Sequence, residues 1–83
     1  MAAYWILDVT YALNVHDFTL DDKLRAVVGK DPSGSGAGFG ERDIDWTFHD
    51  GAEADTVAAK LRDYAAEHDL KIAVMVTQHL DED

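Results

Sequence analysis

The stretch Asp43-Ile44-Asp45-Trp46-Thr47-Phe48-His49-Asp50-Gly51, residues 43–51, passes from one periodicity to another within a few letters. Ile44, Trp46 and Phe48 alternate with Asp43, Asp45, Thr47 and His49, a period of two that puts an apolar row and an acidic row on opposite faces of a strand. Asp50 or Gly51 then caps a helix, with Glu53 and Asp55 near its start where the dipole favours acid. The inward stripe of that helix is Val57, Ala58, Leu61, Tyr64, Ala65 and His68, spaced three and four apart.

Downstream, Leu70 to Gln78 alternates again. Leu70, Ile72, Val74 and Val76 point inward, and Lys71, Ala73, Met75 and Thr77 outward, while residues 80–83 form an acidic tail. Upstream lies Ser33-Gly34-Ser35-Gly36-Ala37-Gly38-Phe39-Gly40-Glu41, with glycine at every second position. This segment, residues 33–41, is expected to pair with the strand that follows it as a weak hairpin partner on a sheet edge. Further back, residues 4–15 place Trp5, Leu7, Val9, Tyr11 and Leu13 on one face and Tyr4, Ile6, Asp8, Thr10 and Ala12 on the other. Between these strands, Thr19 and Asp22 fit a capping box, Leu20, Leu24, Val27 and Val28 share a helical face, and Gly29 ends the helix.

The order strand, helix, weak strand, strand, helix, strand is that of the ferredoxin-like split βαββαβ fold. An α+β domain with a four-stranded antiparallel sheet and two helices on one face is therefore expected. At 83 residues there is room for a single domain over 1–83, since a chain this short buries only about 60% of its unfolded surface. The 47% hydrophobic content supplies the core.

Charge narrows the function. Seventeen acidic residues against seven basic give a formal net charge of −10. Phosphate backbones are bound through clustered Lys and Arg, which this chain lacks, so nucleic acid is not an expected partner. RNA-recognition domains with this architecture stack bases on aromatics of the open sheet face, where this chain offers Asp43 and Asp45. No cysteine is present, so disulfides, thiolate chemistry and cysteine zinc sites are excluded together. Asp8 interrupts the early apolar run and the start lacks a basic leader, so no membrane partner and a cytoplasmic location are expected.

The candidate binding surface is the sheet face away from the helices: Tyr4, Ile6, Asp8, Asp43, Asp45, Lys71 and Met75, with His49, Thr10 and Thr47 beside them. Asp8 and Asp45 become neighbours if their strands align, and paired carboxylates can hold a divalent cation or share a proton. Gly34, Gly36, Gly38 and Gly40 on one face of an edge strand, with Phe39 near the hairpin tip, leave a smooth track for a partner's strand or a flat ligand. The glycine spacing fails the phosphate-loop motif, because Ser35 stands where lysine is needed. The sets His16, Asp17, His68, Asp69 and His49, Asp50, His79, Asp81 fall at opposite ends of the expected sheet, where each could form a two-His, carboxylate metal site or a pH-sensitive patch, although such pairs more often serve as caps and turns.

No cofactor, metal site or catalytic residue is assigned on these patterns. The expected function is a non-enzymatic interaction or regulatory domain that forms a homodimer or binds a basic protein through its open sheet face. Two alternatives stand beside it: a metal-dependent hydrolase or nuclease centred on Asp8 and Asp45, and an acidic inhibitor that imitates nucleic acid.

Overall fold

The structure, a computed structural model, describes residues 2–81. It contains β1 (Ala2–Ala12), α1 (Thr19–Val28), β2 (Gly34–Gly38), β3 (Glu41–Phe48), α2 (Gly51–Glu67) and β4 (Ile72–Asp81). The strands form one antiparallel sheet in the order β2-β3-β1-β4, the ferredoxin-like arrangement. The strand residues expected to point inward do so. Leu7, Val9 and Tyr11 of β1 and Ile44, Trp46 and Phe48 of β3 are buried with Leu20 and Leu24 of α1 and Ala54, Val57, Ala58 and Leu61 of α2. Because every buried strand residue has the same parity, both helices cover the same face and the other face has no helix.

Helix boundaries follow from local chemistry. Asp50 caps α2, accepting from the Ala52 N–H at 2.9 Å. Gly51 behind it has no room for a side chain: a Cβ there would stand 2.8 Å from Trp5 Cε2. Gly29 ends α1 at φ 86°, with its N–H on Arg25 O at 2.8 Å. The start of α1 differs from the expected capping box. Thr19 is already helical and Phe18 is the cap residue; Asp17 serves the free donors instead, with Oδ1 accepting from the Thr19 N–H (3.0 Å) and the Thr19 hydroxyl. Those bonds hold the Asp17 carboxyl below the usual carboxylate range.

Three further boundaries depart from the periodic pattern. β1 ends at Ala12, because the Val15 and His16 N–H groups both turn back to Ala12 O at 3.2 and 3.0 Å. His68, expected in the buried stripe of α2, is an exposed C-cap whose ring lies 4.3 Å from the Tyr64 ring. There the chain leaves the helix through Asp69 at φ 54°, with Leu70 N–H on Ala65 O at 2.8 Å, so the face that carried Val57 and Leu61 stops one turn earlier. Finally, β4 runs on to Asp81, so Leu80 and Asp81 pair with Ala3 and Ala2, and only residues 82–83 of the expected tail lie outside the described residues.

Candidate functional site

The uncovered face is built by the register of the strands. Asp8 of β1 lies opposite Asp45 of β3 on one side and Met75 of β4 on the other. One step along, Thr10 lies between Asp43 and Ala73, and in the other direction Ile6 lies between Thr47 and Thr77. Tyr4 and His79 are partners, with rings stacked at 5.2 Å and 12°. On the far side, Gly34, Gly36 and Gly38 of β2 face Asp45, Asp43 and Glu41. Six of the expected face residues thus come together: Tyr4, Ile6, Asp8, Asp43, Asp45 and Met75. Met75 is 63% exposed.

Ladder geometry sharpens the carboxylate pair. The two-residue turn Phe39–Gly40, with φ 53° and 78°, makes Gly38 and Glu41 the partners that exchange both main-chain bonds. Alternation carried across β3 then leaves Asp8 and Asp45 as a pair that exchanges none. That is the closer of the two antiparallel spacings, about 4.5 Å between Cα atoms. Partial burial raises the Asp8 pKa, and the neighbouring charges of Asp43 and Asp45 raise it further, against a smaller lowering by His79. The strands place no Lys or Arg on this face, and among the described residues no ion pair involves Asp8, Asp43 or Asp45. The like charges are therefore offset only in small part, by His79.

Several expected members lie elsewhere. Lys71 precedes β4 and is exposed, and its backbone N–H donates to His16 Nε2 at 3.3 Å. It lies four positions before Met75, the partner of Asp8. His49 follows the end of β3; the histidine whose field reaches Asp8 is His79. Gly40 is in the turn at φ 78° and so does not continue the glycine row, and Phe39 beside it is fully exposed. Several members of the two His-Asp sets serve local structure. His16 meets the Tyr11 ring edge-on at 6.0 Å, His68 packs on Tyr64, Asp17 and Asp50 cap helices, and the side chain of Asp81 lies outside the described atoms. Among the described residues no group of three or more His, Asp or Glu is placed to hold a metal ion.

A polar cluster on the helix side was not among the expected sites. Tyr11 Oη donates to Asp21 Oδ1 at 2.5 Å, and Arg42 Nε donates to Asp21 Oδ2 at 2.8 Å. This ties β1, α1 and β3 together. Burial and the Asp21 acceptor push the Tyr11 phenol well up, and the Asp21 bond raises Arg42. Arg42 shares the parity of Ile44, which was the available signal that it points toward the helices.

No protein-family model matches the chain, and no curated protein sequence is similar to it. No helix among the described residues is long and apolar enough to cross a membrane.

Proposed function

We propose that this chain is a non-enzymatic interaction module whose uncovered sheet face holds a basic protein partner. The observation that supports this most is the direct pairing of Asp8 with Asp45, beside Asp43, on a face without a lysine or arginine in its strands. Like charges placed opposite each other repel, and a lysine or arginine from a partner relieves that repulsion. Tyr4, Ile6 and Met75 add apolar area next to the acidic row, the mixture an interface uses. A second copy docked face to face by a two-fold axis would set the same carboxylates against one another, so a basic partner is favoured over the homodimer. Hydrolysis at Asp8 and Asp45 would need a metal ion, and among the described residues no group of three or more His, Asp or Glu is placed to hold one.

The test is to titrate isotope-labelled protein with a lysine-rich peptide and follow backbone amide shifts. Shifts are expected to centre on β1 and β3 around Asp8, Asp43 and Asp45. They should weaken roughly tenfold in affinity between low salt and about 0.5 M NaCl, as screened charges do, and largely disappear in Asp45→Asn. Shifts spread evenly over the acidic surfaces of α1 and α2, or none at millimolar peptide, would sink the proposal. Light scattering without peptide is expected to give a monomer.

A further inference from the structure

We infer that the partner binds as an added β-strand along the free edge of β2, as an extended segment with Lys or Arg at every second position. This rests on the open-face proposal above and specifies how the partner is held. The sheet order leaves β2 with one neighbour, β3. The alternation set by the Phe39–Gly40 turn aims the main-chain groups of Gly34, Gly36 and Gly38 at β3, and those of Ser35 and Ala37 away from the sheet. Outward N–H and C=O groups on an edge strand are what an incoming strand pairs with.

The opposite edge is covered at one point. By the same alternation Val74 O points out of β4, and Arg62 of α2 reaches over to donate to it at 3.1 Å. Beyond the start of β2 the β3 edge is also covered, since Ser33 Oγ accepts from the Thr47 N–H and Lys30 Nζ donates to Thr47 O. The stretch from Gly34 to Gly38 is an accessible template. Its side chains are none, Ser35 and Ala37, so nothing bulky bars approach.

Register gives the selectivity. Asp45, Asp43 and Glu41 each have a glycine between them and the edge. Asp45 leans toward that edge: a Cβ built on Gly34 would stand 3.2 Å from Asp45 Oδ2. Strands lie about 4.8 Å apart, so an added strand sits about 10 Å from β3, a gap a lysine or arginine spans when it crosses a bare glycine. Alternate side chains of an added strand repeat at the same step as the three carboxylates, so successive basic residues meet successive acids. A second copy paired β2 to β2 would bring two acidic rows onto one face with no cation between them, which makes the basic segment the occupant.

Two peptides of identical composition decide it, one alternating Thr and Lys and one with the lysines in a block. The alternating peptide is expected to bind roughly tenfold more tightly, through main-chain bonds the blocked peptide cannot place in register. It should also protect the Ser35 and Ala37 amides from hydrogen exchange. N-methylating the alternating peptide's edge-facing amides should erase its advantage without touching the protein. Gly36→Val should do the same while keeping the fold, since a Cβ at Gly36 meets nothing within 4 Å. Equal affinities with shifts still centred on Asp8 and Asp45 overturn strand addition and leave the open-face proposal standing; so does protection that appears on β4. Failure of both peptides to bind removes both.

Discussion

If the open face binds a basic partner as proposed, Asp8 sets stability against that binding. Its carboxyl is pushed above its ordinary range by burial and by Asp43 and Asp45, so the folded state takes up a proton more readily than the unfolded chain. The stability this lends is present at low pH and is lost as pH rises through the raised value. Asp8→Asn removes the repulsion permanently. It is expected to stabilise the protein by about 0.5 kcal/mol at neutral pH. That gain should shrink toward zero as the solution is acidified and the native Asp8 becomes neutral, and urea titrations at several pH values measure it. The same variant should bind the lysine-rich peptide less well, and a substitution that improves the fold while harming the contact marks a residue kept for the contact. Phe39 has a related character. It takes a left-handed turn conformation that suits Asn or Gly, and it buries nothing in return.

The junction of β1, α1 and β3 depends on Tyr11, Asp21 and Arg42 as a unit. Tyr11→Phe keeps the ring but leaves Asp21 with only its arginine, and is expected to cost about 1.5 kcal/mol, seen as a lower thermal midpoint. A change within a few tenths would mean that the hydroxyl's bond to Asp21 contributes little. The sheet itself was legible in the sequence, because alternation is a property of each strand alone: Leu7, Val9, Ile44 and Trp46 declared the buried face without knowledge of their partners. Gly29 and Asp50 were legible for the same local reason. Arg42 was not, since a charge at an inward position makes sense only with Asp21, a partner 21 residues away. The far end of β4 was hidden too. His79, Leu80 and Asp81 lie beyond the expected strand, and they extend it because Tyr4, Ala3 and Ala2 offer ladder bonds. His79 therefore moved from an expected loop pair to the open face beside Tyr4, and the glycine segment's role as sheet edge was readable while its register against Asp45, Asp43 and Glu41 was not.

With extents of 41 × 27 × 17 Å, the protein is one helix layer on one sheet, and its net charge of −10 is spread over a thin body. Self-repulsion of that size weakens the compact state, so raising NaCl from about 0.05 to 0.5 M is expected to raise the thermal midpoint while weakening the basic peptide's binding. A midpoint that falls with salt would mean that ion pairs such as Arg42 with Asp21 outweigh the repulsion. The position of β1 between β3 and β4 also bears on biosynthesis. Of the strands of this sheet, the first to leave the ribosome acquires one neighbour from residues 41–48 and the other from residues 72–81, the last of the four to appear. Translation supplies residues at about 5–20 per second. For those seconds the apolar row of Leu7, Val9 and Tyr11 waits without its full sheet, and a nascent chain stalled before Ile72 is a natural client for chaperones.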